Sequence, residues 1–227
     1  MESERLCMED ADMKEKIIGV AVSVLLGYLM GTLSPAALIS KLKNKNLKKS
    51  GTGNLGASNV MLHFGKVFGL LVMAFDILKA FCAARLVEYM FSDVMYIGMI
   101  AGIAAIIGHI YPFYMKFKGG KGLAAFGGLI MAYEPWLLAF VLAVGTILML
   151  IINYSFIMPY FAATVYVSYV AYTSRDLVTT LIALAPAVLI MVMHFENVIK
   201  AIKGTDVKIR KVAVTKKNIE DEPSEQE

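Results

Sequence analysis

At 227 residues, with 58% hydrophobic residues and a mean hydropathy of +0.66, the chain is more apolar than a soluble domain of its size, where about half the residues are apolar. The apolar runs are of helix length and do not alternate with period two, which excludes an outer-membrane barrel and points to an all-α, polytopic membrane protein. A formal charge of +4 says less than its placement, and Cys7 and Cys82 form neither a disulfide framework nor a metal-ligand spacing.

Residues 1–16 form an acidic head, which lacks the basic start of a signal peptide and reads as an extracytoplasmic tail. A first span over residues 17–39 contains Gly27, Gly31 and Pro35, residues tolerated where membrane helices approach closely. Residues 50–66, SGTGNLGASNVMLHFGK, follow as a loop with four glycines, preceded by Lys41, Lys43, Lys45, Lys48 and Lys49. Glycines let a backbone turn tightly and aim several N–H groups at one anion, and Thr52, Asn54 and Asn59 add polar side chains. Gly51, Gly53 and Gly56 also fit G-x-G-x-x-G. A dinucleotide fold would need a buried strand before them, and a lysine-rich run stands there instead.

A second span, residues 67–90, carries Asp76 and Lys79 at i and i+3, so the two can pair away from lipid. The third, residues 95–114, ends in GHIYPFY, with His109 near the boundary and Pro112 limiting the helix. A second polar loop, MKFKGGKG, then sets Lys116, Lys118 and Lys121 among Gly119, Gly120 and Gly122, repeating the chemistry of the first. Further apolar runs cover residues 123–133, 136–152, 156–172 and 177–193, the last delivering His194 and Asn197 to its polar end. The reading is a bundle of seven transmembrane helices, or five or six full crossings if the short runs are re-entrant.

Cytoplasmic loops collect Lys and Arg. With the N-terminus outside and the C-terminus inside, both glycine-lysine loops and the His194–Asn197 end share the cytoplasmic face, as do Lys200, Lys203, Lys208, Arg210 and Lys211, while Asp93, Glu134 and Asp176 lie opposite. Residues 17–204 are then the membrane domain, and the polar residues 205–227 read as a disordered cytoplasmic tail. The expected ligand is a phosphorylated anion at the membrane edge.

Four ordered motifs resemble the bacterial acyl-phosphate:glycerol-3-phosphate acyltransferase family, PlsY, over about residues 31–206. The family's SGN-type loop is similar to GTGNLGASNV at residues 51–60, and its LDxLKG helix to Phe75, Asp76, Ile77, Leu78, Lys79 and Ala80. Its GH…P…FKGGKG element is similar to Gly108, His109, Pro112 and residues 117–122, and its terminal H-x-x-N to His194 and Asn197, followed by Gly204 and Asp206. The chain departs from the pattern where Leu62, Met193 and Phe195 stand in place of arginines, Thr52 in place of serine, Ala125 in place of threonine and Asp206 in place of glutamate. Leucine for arginine removes a permanent charge and a two-pronged phosphate donor.

The resemblance implies seven helices and transfer of a fatty acyl group from acyl phosphate to glycerol 3-phosphate, giving lysophosphatidate and phosphate for phospholipid synthesis. It also implies a multi-pass protein of the bacterial plasma membrane whose site faces the cytoplasm, with the bilayer as its surroundings and no cofactor, metal or nucleic acid. Thr52, Lys121, His194 and Asn197 are the expected catalytic residues. Gly51, Gly53, Asn54, Asn59, His109, Lys118, Gly119, Gly120 and Gly122 are the expected substrate-binding ones. The alternative is a small anion or lipid transporter, or a lipid-binding relative with weakened catalysis; no inverted repeat is visible, and the polar motifs gather at one face instead of the midplane.

Overall fold

The computed structural model describes residues 2–204; the tail at 205–227, with Asp206, Lys208, Arg210 and Lys211, lies outside the described residues. Nine α-helices occur among the described residues: α1 (Glu2–Thr32), α2 (Pro35–Leu42), α3 (Ala57–Phe64), α4 (Lys66–Met90), α5 (Ile97–Ile110), α6 (Leu123–Tyr133), α7 (Pro135–Ile152), α8 (Ile157–Ser174) and α9 (Leu177–Ile202). Short 3-10 turns at Leu47–Lys49 and Phe113–Met115 lie in the two lysine-rich loops. Five stretches, those of α1–α2, α4, α5 with its following turn, α7 and α9, are long and apolar enough to cross a membrane. With 11 residues, α6 rises only about 16 Å, short of the roughly 30 Å of hydrocarbon.

Three expectations need correction. The first apolar run is two helices, because Pro35 restricts Ser34 to extended backbone and starts a new helix that the Ser34 hydroxyl caps by accepting from Ala37 N–H at 3.2 Å. This leaves the Leu33 carbonyl outside any helix. The glycine loop is shorter than residues 50–66, since residues 57–64 coil into α3, whose Asn59 and Val60 are buried. The last helix does not stop at residue 193. It runs on to Ile202, so His194 and Asn197 project from the body of α9, and an i,i+4 pair between Glu196 and Lys200 at 2.6 Å supports the added turns.

Small residues set the helix seams. Gly27 and Gly31 of α1 lie against the Ala101 and Ala105 carbonyls of α5, and Gly108 lies against the Tyr28 carbonyl, so a Cβ at any of the three would overlap backbone. Gly128 of α6 meets the Ile77 carbonyl of α4 in the same way. The main core gathers Ile106, Ile110, Phe126, Leu129, Tyr166 and Ile190, with Phe126 edge-on to Tyr166 at 5.3 Å between centroids. Both glycine loops sit at one end of α5, on this frame.

Candidate active site

The first loop is built around one amide. Asn59 is 1% exposed, and its Nδ2 donates to the carbonyls of Leu47 (2.8 Å), Asn54 (2.9 Å) and Ser50 (3.2 Å), while its Oδ1 accepts from Thr52 N–H (3.1 Å). A buried side chain so engaged with loop backbone shapes the loop from behind, which separates Asn59 from the direct ligands expected of the sequence. Gly51 and Gly53 adopt φ of +59° and +69°, the left-handed region. A side chain at Gly51 would also strike Asn59 Oδ1 and His63 Nε2. With the backbone bent this way, Thr52 stands exposed at the loop tip, beside half-buried Asn54.

Buried Leu47 and Leu55 fasten this loop to Ala36, Val60 and Val72, and Met115 from the second loop packs on the same cluster. The two loops therefore share a floor. Their charges also meet: the Lys48 ammonium is held below its ordinary value by partial desolvation and then by the like charge of Lys118. Like charges brought together at an exposed surface favour an anion between them.

The second loop folds back on the end of α5. Gly119 N–H donates to the Ile110 carbonyl (2.9 Å) and Gly120 N–H to the His109 carbonyl (3.1 Å). These two N–H groups, expected to meet phosphate, are engaged here in holding the loop's shape. Gly120 is buried over the His109 ring, where a Cβ would collide with Nε2, and Gly119 lies against the His109 carbonyl. Gly122, at φ +86°, opens α6. The loop's outer side carries exposed Lys118 and half-buried Lys121.

Lys121 reaches across to α9, where its Nζ donates to Asn197 Oδ1 at 2.7 Å. One turn earlier, His194 is 7% exposed and its Nδ1 donates to the Ile190 carbonyl at 2.9 Å, leaving Nε2 as the acceptor. The expected catalytic residues Lys121, His194 and Asn197 are thus neighbours, although 73 and 76 positions separate Lys121 from the other two. Leu62 and Phe195, where the motif pattern has arginines, are exposed, and Met193 Sδ lies 3.7 Å from the Tyr111 hydroxyl.

Beneath the loops lies a buried polar group of α4 and α5. Asp76 and Lys79 pair at 2.7 Å, as their spacing indicated, and both are almost wholly buried. Sequence reasoning missed the other partners: Lys79 Nζ lies 2.9 Å from His109 Nδ1 and donates to the Leu33 carbonyl at 2.6 Å. Nothing in local spacing links positions 33, 79 and 109. Two cavities lie elsewhere: about 310 Å³ near Glu88, Tyr96, Tyr133 and Thr179 at the far end of α5, and a groove of about 650 Å³ between α7 and α8 along Trp136, Phe140 and Tyr169. Neither is lined by a residue of the glycine loops, whose lysines form an open polar surface.

Comparison with known proteins agrees with the motif order. A family model described as glycerol-3-phosphate acyltransferase matches residues 21–204. A glycerol-3-phosphate acyltransferase of Macrococcus caseolyticus is 31% identical over 198 residues, 84% of this chain and 97% of that one. The Bacillus subtilis protein of the same name is also 31% identical, over 84% of this chain and 98% of its own. Among solved structures, PlsY, an integral membrane glycerol 3-phosphate acyltransferase, in its glycerol 3-phosphate form superposes with a TM-score of 0.80 at 28% identity, over 86% of this chain and 98% of that one. Its lysophosphatidic acid form gives 0.72 at 29% identity, over 83% and 94%. Sequence motifs, helix order and fold agree, and the chain belongs to the glycerol-3-phosphate acyltransferase family.

Proposed function

We infer that this membrane acyltransferase takes its acyl group from a fatty acyl phosphate and passes it to glycerol 3-phosphate, forming lysophosphatidate for phospholipid synthesis. The contact that carries the reading is the 2.7 Å bond from Lys121 to Asn197, which joins the second glycine loop to α9 beside His194. An acyl phosphate is a mixed anhydride, so its carbonyl is already activated. The acceptor hydroxyl oxygen attacks that carbon, the bond to the phosphate oxygen breaks, and the departing phosphate takes the hydroxyl proton. No covalent enzyme intermediate is needed, and the G-x-S-x-G nucleophile elbow is absent from the chain.

Catalysis is then mainly positioning and charge stabilisation. Lys121 faces the leaving phosphate, and Asn197 keeps its ammonium from swinging away. Lys48 and Lys118 hold the phosphate of the acceptor between the loops. Thr52 and Asn54 hydrogen-bond substrate at the tip of the first loop, with Gly51 and Gly53 giving it its bend. His194 Nε2 accepts from the attacking hydroxyl and orients it before attack, and the proton passes to the departing phosphate as the ester bond forms. The glycines at 119, 120 and 122 serve by allowing close approach and by aiming Lys121. In the membrane the N-terminus lies outside and the C-terminus inside, so that this surface faces the cytoplasm of a bacterial cell.

The test is donor choice. Purified protein given labelled glycerol 3-phosphate should form lysophosphatidate with palmitoyl phosphate and not with palmitoyl-CoA. Product from the thioester at an equal rate would contradict the acyl-phosphate assignment.

A further inference from the structure

Lys79 is a charged residue deep in the bundle, 4% exposed, on the helix beneath the glycine loops. Three groups surround its ammonium: the Leu33 carbonyl at 2.6 Å, Asp76 Oδ1 at 2.7 Å and His109 Nδ1 at 2.9 Å. Asp76 is paired by charge, in an orientation that makes no hydrogen bond at Oδ1. An ammonium can only donate. His109 Nδ1 must therefore accept, which puts the imidazole proton on Nε2. That nitrogen is the ring atom facing Gly120, in the loop that aims Lys121 at Asn197.

We propose that Lys79 is a positioning residue of the acyl-transfer reaction: from inside the membrane domain it fixes His109 as the Nε2–H tautomer, so that an N–H donor faces the glycine-lysine loop from below. Three observations support a shared purpose for this group over a bare helix lock. The Leu33 carbonyl is available because Pro35 breaks the first helix, so the same ammonium also ties down the segment leading into the first loop. The Tyr114 hydroxyl, from the second loop, donates to the neighbouring Thr32 carbonyl at 2.6 Å. Gly120 has no room for a side chain over the imidazole, so the ring and the loop backbone are in direct apposition. Burying a charge is costly, and one that ties its own helix to two other segments sets their geometry as well as neutralising Asp76.

The test uses paired substitutions, so that no buried charge is left alone. In Lys79→Met/Asp76→Leu no donor faces Nδ1. In Lys79→Met/Asp76→Asn the new amide can donate to Nδ1 from the Asp76 position, 3.4 Å away. Nitrogen-15 spectra of histidine-labelled full-length protein, with the His109 signals assigned by their loss in His109→Gln, should show Nε2 protonated in the wild type. That pattern should be lost in the leucine pair and restored in the asparagine pair. The kcat/KM for glycerol 3-phosphate should fall about tenfold in the leucine pair, the size of one lost charge-assisted hydrogen bond, and recover severalfold in the asparagine pair. A wild-type His109 protonated at Nδ1 overturns the proposal whether or not the variants fold, and so does a leucine pair with unchanged spectrum and rate. The activity arm rests on the acyl-transfer reading, whereas the spectra do not: a wild type that forms no lysophosphatidate refutes that reading while the tautomer is still decided.

Discussion

At the scale of single residues, Asn59 shows why polar side chains in a glycine-rich stretch divide into those that meet ligand and those that shape the loop. Its four hydrogen bonds to loop backbone predict that Asn59→Ala lowers stability by about 2–4 kcal/mol, since three carbonyls and one N–H lose their partner in a mostly buried place. Chemical unfolding in detergent micelles would check this, and a loss under about 0.5 kcal/mol, the size of an ordinary surface change, would contradict it. Asn197→Leu removes the 2.7 Å bond that positions the Lys121 ammonium on α9 and should lower kcat about tenfold with little effect on unfolding, as misplacing an aligned donor does. A third prediction concerns Asp176, which caps α9 by accepting from Thr179 N–H (2.7 Å) and Oγ1 (2.6 Å), bonds that hold its carboxyl below the usual carboxylate range. A depressed folded value means the stabilisation is present above the unfolded pKa near 3.8 and is lost as pH falls through the lower folded value. Asp176→Ala should therefore melt earlier than the wild type at pH 6, and the gap should close below pH 3.8. The resemblance of the motifs grouped Lys121, His194 and Asn197, which the fold brings side by side, but the loop-shaping position of Asn59 was not legible, because direction and burial are set by the fold and leave no local signature.

At the scale of elements, apolar runs bounded by polar turns placed α4, α6, α7 and α8 within two residues of their observed ends. Where the reading failed, tertiary packing or capping overrode the apolar pattern. Short, glycine-flanked α3 is weak by propensity and is held by Val60 and Asn59 against the loop cluster. The α1–α2 break depends on a Ser-Pro pair that membrane helices often tolerate, and here Ser34 converts it to a cap. The end of α9 passes from apolar to amphipathic without ceasing to be helical. The α1–α5 seam offers the element-scale prediction: Gly31→Leu and Gly108→Val each force a side chain into a facing carbonyl and should sharply reduce the yield of folded protein, read by fluorescence-detected size exclusion. Monodisperse, wild-type yield from both would refute the close approach of these helices.

At the scale of the whole molecule, the frame is apolar and lipid-facing, while the ionisable side chains of the site gather where two loops meet the end of α9. Small-residue seams bring α1, α4, α5 and α6 close, and that closeness lets one buried ammonium touch three segments and one loop lysine touch α9. Family membership, motif order and site geometry then converge on acyl transfer to glycerol 3-phosphate at a surface built from remote parts of the chain. Phosphate release from palmitoyl phosphate by the purified protein, with and without glycerol 3-phosphate, beside Lys121→Ala, tests this most directly. The account predicts release that depends on glycerol 3-phosphate and falls at least about a hundredfold in the variant, as removal of a transition-state donor does. Release of equal rate in wild type and Lys121→Ala would contradict it.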